Sequence, residues 1–96
     1  MCEVKREYYK TGELESECFE LNGKSEGEYK SYHKNGQLYE IYNCIDGKKN
    51  GEYKSYHDNG QLCATWLYVD GEMHGESKYY WPDGLLDYVS SCIDGN

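Results

Sequence analysis

Ninety-six residues carry ten lysines and arginines against eighteen aspartates and glutamates, a formal net charge of −8 with a pI near 4.7. That length supports one domain, and that charge weighs against nucleic-acid and anionic-membrane surfaces, which select basic faces. Mean hydropathy is −1.01, yet 16% of the residues are aromatic and twelve are tyrosine, so the chain reads as folded, because disordered chains are poor in aromatics.

The chain begins MCEVKREYYK, which lacks the apolar core of a signal peptide, and its apolar stretches are too short to span a bilayer. The expected compartment is therefore the cytoplasm. Residues 3–26 hold Tyr8, Lys10, Gly12, Leu14, Gly23 and Lys24 at spacings that return later. Residues 27–50 read GEYKSYHKNGQLYEIYNCIDGKKN and residues 51–74 read GEYKSYHDNGQLCATWLYVDGEMH, identical at thirteen of twenty-four positions without a gap. Residues 75–96 keep Gly75, Glu76, Lys78, Tyr80, Gly84, Leu86, Asp94 and Gly95 in register. Four copies thus fill one repeat domain, 1–96, in which each unit buries its apolar face only against its neighbours.

Within each copy, two strand-like runs flank a turn. Tyr29–His33 and Gln37–Ile45 are separated by Lys34-Asn35-Gly36, and Asn-Gly supplies the positive φ angles of tight hairpin turns. Asn59-Gly60 repeats the signal, with weaker forms at Thr11-Gly12 and Asp83-Gly84. Asn22-Gly23, Asp46-Gly47 and Asp70-Gly71 join one copy to the next. Glycine at intervals of four to eleven residues, with Tyr, Ile, Val, Thr and Trp between, makes helix unexpected anywhere. The fold class predicted is all-β, a single-layer antiparallel β-meander of stacked hairpins with about two strands per 24-residue repeat. The repeat-defining residues are Tyr32, Gly36, Leu38, Gly47, Tyr56, Gly60, Leu62, Gly71, Tyr80, Gly84 and Leu86.

A two-residue Asn-Gly loop would set His33 opposite Leu38, and a three-residue loop with a glycine bulge would set Tyr32 there. Retention of Tyr8/Tyr32/Tyr56/Tyr80 together with Leu14/Leu38/Leu62/Leu86 favours the second pairing. On that register, one face is expected to carry the Tyr–Leu ladder with Tyr42, Ala64 and Trp66. The other would carry Tyr29, Tyr53, His33, His57, Ile41 and Leu67. Glu15, Glu17 and Glu20 make the first copy read as a cap. The last copy stops after Asp94-Gly95-Asn96, and its final strand is expected to offer an open edge for self-association or a partner.

The recurring core G-E-Y-K-x-Y-x-x-N-G-Q-L, followed about nine residues later by D-G and a new G, resembles the MORN-type repeat. It resembles the longer variant seen in proteins described as bacterial antitoxins more than the shorter form of lipid-kinase and junctional proteins. Gly27, Tyr29, Tyr32, Asn35-Gly36, Leu38 and Gly47 carry the resemblance, as do Gly51, Tyr53, Tyr56, Asn59-Gly60, Leu62 and Gly71. What it implies is a curved single-layer sheet that binds other molecules and catalyses nothing.

No constellation of residues argues for chemistry. His33 and His57, equivalent in adjacent copies, fall two strands or roughly 10 Å apart, too far for two ligands at about 2.0–2.3 Å to share one zinc without a third residue between them. Tyr9 and Trp81 occupy the same slot, which marks it as a place for a ring. The five cysteines (Cys2, Cys18, Cys44, Cys63, Cys92) are odd in number and scattered, and read as free thiols. Cys44 and Cys92 stand on the order of 20 Å apart by strand spacing, beyond disulfide reach. Glu28/Glu52/Glu76 and Arg6/Lys30/Lys54/Lys78 read as solvated charge ladders.

No catalytic, cofactor-binding or metal-binding residue is therefore assigned. The aromatics are the candidates for contact with a partner: Tyr29, Tyr42, Tyr53, Trp66, Tyr68 and Trp81, because Tyr and Trp dominate interface hot spots. The expected function is a non-enzymatic protein-interaction or scaffold module. An antitoxin-like inhibitor of a basic toxin is the alternative within binding. Lipid association is the reading from another class.

Overall fold

A computed structural model describes residues 3–92, with side chains through Ser91, and all its regular structure is β. The strands are β1 (Glu3–Tyr8), β2 (Leu14–Leu21), β3 (Lys24–Ser25), β4 (Gly27–Tyr32), β5 (Leu38–Ile45), β6 (Lys48–Lys49), β7 (Gly51–Tyr56), β8 (Leu62–Val69), β9 (Glu72–Tyr80) and β10 (Leu86–Cys92). They form one antiparallel sheet in the order β1-β2-β4-β5-β7-β8-β9-β10, with β3 and β6 paired to β2 and β5. Extents of 38 × 34 × 15 Å match a single layer, since eight strands at about 4.8 Å span about 34 Å. The turn expected at Asp94-Gly95, and the side chains of Cys2 and Cys92, lie outside the described residues.

Two turn types alternate along the chain. Inside a copy, the His33 N–H donates to Gln37 O (2.8 Å) and the Gly36 N–H to His33 O (2.9 Å), which is the three-residue hairpin. His57/Gln61/Gly60 and Trp81/Leu85/Gly84 repeat it. Only the glycine of this turn is left-handed (Gly36 φ 90°). Between copies the turn has two residues, both at positive φ: Asp46 at 53° and Gly47 at 84°, with the same pattern at Asn22-Gly23 and Asp70-Gly71. The three-residue loop favoured at Asn35-Gly36 is thus present with positive φ at the glycine alone, and the two-residue turn with both φ positive is found at the joints, where Asp and Asn tolerate the left-handed region.

The favoured register is present: Tyr8, Tyr32, Tyr56 and Tyr80 pair with Leu14, Leu38, Leu62 and Leu86. The expected division of faces is not. A bulge follows each of these pairs, leaving Glu15, Tyr39, Cys63 and Asp87 unpaired. One extra residue reverses the alternation. Tyr42, Ala64 and Trp66 consequently pair with Tyr29, Ser55 and Tyr53 and share their face. Ile41 and Leu67, opposite Lys30 and Glu52, fall on the Tyr–Leu face instead.

The two faces then differ in kind. Every buried side chain among the described residues (Ser31, Cys44, Tyr53, Ser55, Ala64, Ser77) lies on the Tyr29/Tyr53 face. Small serines flank the rings and let them close over the sheet. The Tyr–Leu face is half-buried and carries the charge ladders, with ion pairs Lys30–Glu28 at 3.3 Å, Lys54–Glu52 at 3.9 Å and Arg6–Glu17 at 2.7 Å. All three are solvent-exposed pairs, of the kind that contributes little to stability.

Candidate interaction surface

Six rings, one from each strand of three successive hairpins, line up on the buried face. Centroids are 4.6 Å apart for Tyr29–Tyr42, 6.0 Å for Tyr42–Tyr53 and 4.2 Å for Tyr53–Trp66. The row continues at 5.9 Å for Trp66–Tyr79 and 4.4 Å for Tyr79–Tyr88. The close contacts fall within hairpins and the longer ones between them. Most planes lie within 11–23° of parallel, so the rings turn faces to one another and edges outward. Tyr68 meets Tyr53 and Trp66 edge-on, and the Lys49 ammonium sits 4.9 and 5.2 Å from the Tyr42 and Tyr68 rings.

Burial sets the polar chemistry of this face. Tyr53, 7% exposed, donates its hydroxyl to Glu40, which also accepts from the Ser31 hydroxyl at 3.3 Å. Burial, then the hydrogen bond to Glu40, pushes the Tyr53 phenol far above its ordinary range. Burial raises Tyr42 strongly and Tyr29 as well, and it raises the Cys18 and Cys44 thiols. These groups are neutral at physiological pH, so neither a thiolate nucleophile nor a phenolate base is prepared here. The Trp66 indole N–H is buried without a hydrogen-bond partner, a cost of about 1–3 kcal/mol. Its ring is committed to the stack on both sides.

The ring slot has a specific task. Tyr9 Oη donates to Tyr32 O at 2.6 Å, His33 Nε2 meets Tyr56 O at 2.8 Å, and His57 Nε2 meets Tyr80 O at 2.8 Å. Asn35 Nδ2 donates to Asp58 O (2.7 Å) and Asn59 Nδ2 to Pro82 O (2.8 Å). Each turn is thereby latched to the turn one copy later. The signal that could have revealed this is that Tyr, His and Trp all carry a donor on the ring.

The six candidate aromatics thus separate. Tyr29, Tyr42, Tyr53 and Trp66 form the core of the row and Tyr68 braces it. Trp81 stands outside at 54% exposure. Around Trp81 the last hairpin shows Leu85 (66%), Tyr88 (53%), Leu86 and Val89, nearly half of the large exposed apolar side chains among the described residues. Leu85 and Tyr88 had no place among the candidates, because neither belongs to the 24-residue pattern. Shallow clefts of about 340 and 270 Å³ on the Tyr–Leu face, lined respectively by Glu52, Leu67 and Lys78 and by Glu28, Ile41 and Lys54, repeat one another across copies.

Against models of protein families, that of the MORN repeat variant matches residues 25–43 and 49–70, the second and third hairpins described above. Neither the curated proteins nor the solved structures contain a match to the chain.

Proposed function

From the chain's place as a MORN-type repeat protein, a repeat class associated with protein or membrane interaction, we propose that it is a non-catalytic module that binds another protein through its last hairpin. The observation that carries this is the exposure, within one hairpin, of Trp81 and Leu85 at the turn, Tyr88 on the ring-row face, and Leu86 and Val89 on the Tyr–Leu face. An exposed tryptophan beside exposed leucine has the composition of an interface centre. Tyr29, Tyr42, Tyr53 and Trp66 are by contrast spent on one another. A scaffold or adaptor role follows if several proteins share this surface.

The net charge of −8 favours a basic partner, and with it the antitoxin-like reading, in which one small basic protein is neutralised. Affinity capture from the source lysate with the wild type, Trp81→Ala and Trp66→Ala tests the proposal. A partner lost in Trp81→Ala, with the β-sheet circular dichroism intact, supports the last hairpin. Retention by Trp81→Ala with loss in Trp66→Ala would move the site to the ring row. Co-sedimentation with phosphatidylserine vesicles at low salt, without a protein partner, would replace the reading by a membrane one.

A further inference from the structure

We propose that the run Tyr88–Cys92 of β10 pairs antiparallel with the same run of a second copy, about a two-fold axis at Ser90, to close a dimer. The inference rests on the last hairpin being the interaction surface and names its occupant.

The outer strands of the sheet are differently protected. β1 carries Glu3, Lys5, Arg6 and Glu7, the kind of charge that blocks strand addition. β10 carries one charge, Asp87, and that residue is the bulged one, outside the regular pairing. From Tyr88 to Cys92 there is no charge, no proline and no glycine. Strand addition there meets none of the usual obstacles.

A further hairpin of the same kind would be held to this edge by fewer side-chain contacts than join the second hairpin to the third. Asn35 and Asn59 donate to the following turn, and Gln37 and Gln61 pack on Gly60 and Gly84. In the fourth hairpin these positions are Asp83 and Leu85. A carboxylate has no N–H to give, and leucine has no amide. The two amide contacts of the latch are replaced by a carboxylate and an apolar side chain, and only the ring slot, Trp81, keeps a donor.

A second copy does suit it. Pairing about Ser90 sets Tyr88 opposite Cys92 of the second copy and Val89 opposite Ser91, so no like charges meet. A two-fold axis through the sheet keeps Tyr88 of both copies on one face, and the open outer side of Tyr88, where the ring row ends, is covered by the strand of the second copy. Pairing of β10 with β1 of another copy would face a charged strand and leave an edge free at each end, growing a filament; the two-fold arrangement closes. Since two copies of charge −8 repel while the paired run is neutral, added salt should tighten this contact. Binding of a basic partner would weaken with salt.

Sedimentation velocity of the full chain over a range of protein concentrations, at low and high salt, reads this directly. The wild type should show a monomer–dimer equilibrium whose dimer fraction rises with salt. Ser90→Lys and Ser90→Glu each place like charges opposite one another and should weaken the dimer at least about tenfold. Mixing the two variants should restore a heterodimer. Val4→Lys, on β1, should leave the dimer unchanged. A wild type monomeric under every condition, or a Ser90→Lys dimer as strong as wild type, overturns the proposal. If Ser90→Lys loses its β-sheet signal, Ser90→Glu and the wild-type salt series decide. A monomer that still loses a partner on Trp81→Ala would sink the dimer and spare the interaction reading. A dimer whose captured partner is indifferent to Trp81→Ala would do the reverse.

Discussion

Tyr53 is the ring at the centre of the row, stacked 4.2 Å from Trp66 and 6.0 Å from Tyr42, with its hydroxyl on Glu40. Truncation by Tyr53→Ala removes a buried aromatic at a place where a one-layer sheet has no second layer to collapse into the gap. The expected cost is about 3–5 kcal/mol, as for other buried aromatics cut to alanine. Native domains hold only about 5–15 kcal/mol in total, and small ones sit at the low end, so this variant should be partly unfolded at room temperature. Tyr53→Phe keeps the stack and loses only the hydroxyl. A hydrogen bond to a carboxylate is worth about 1.5–3 kcal/mol, and Glu40, half-buried, recovers part of that from water and Ser31. About 1 kcal/mol should remain, or roughly 4–8 °C in Tm for a domain of this size. Tyr39→Phe, on an exposed ring, should change stability by less than about 0.5 kcal/mol. Urea and thermal unfolding followed by circular dichroism separate the three. Should Tyr53→Ala cost no more than Tyr39→Phe, the ring row is decoration and the stabilising packing lies on the Tyr–Leu face. A double-mutant cycle of Tyr53→Phe with Glu40→Gln should show coupling, and none would mean that the hydroxyl answers to water.

Asn59→Asp removes the donor to Pro82 O and should cost about 1 kcal/mol, measured by urea unfolding, while the same change in the fourth hairpin is already native as Asp83. Cys44 is buried and its thiol raised, so alkylation by iodoacetamide in the folded state should be much slower than at Cys63, and equal in denaturant. Mass spectrometry of the two peptides checks this. Tyr42 and Tyr53 hold their protons more tightly folded than unfolded. Their contribution is intact below the ordinary phenol value near 10.0 and is lost as pH climbs from there toward the raised folded values, so stability should fall on the alkaline side. Phenolate absorbance during that titration should show two tyrosines ionising late, together with unfolding.

Much of this was legible in the chain. The 24-residue period, the hairpins, the Tyr–Leu pairing and the joints at Asp-Gly all follow from residues whose backbone demands are strict. The faces were not legible. Glu15, Tyr39, Cys63 and Asp87 share the bulge and nothing else, because a bulge is set by the backbone ladder and leaves the side chain free to vary. That single extra residue moved Tyr42 and Trp66 from the Tyr–Leu face, where they were expected, to the face of Tyr29 and Tyr53. Trp81 is exposed, whereas Tyr9, His33 and His57 in the same slot are half-buried against the turn one copy later.

The unequal ring spacing has a mechanical meaning. Six residue pairs hold β4 to β5 and β7 to β8, while the boundaries between copies are interrupted: two pairs join β2 to β4 with two more through β3, two join β5 to β7 with two more through β6, and five with a register shift join β8 to β9. Ring contacts loosen at the same boundary between β5 and β7, where Tyr42 and Tyr53 are 6.0 Å apart. Each boundary between copies thus carries a break in the ladder that the turn latches bridge along one rim, like rivets between staves, so a curved partner would bend the sheet along those breaks and leave the hairpins whole.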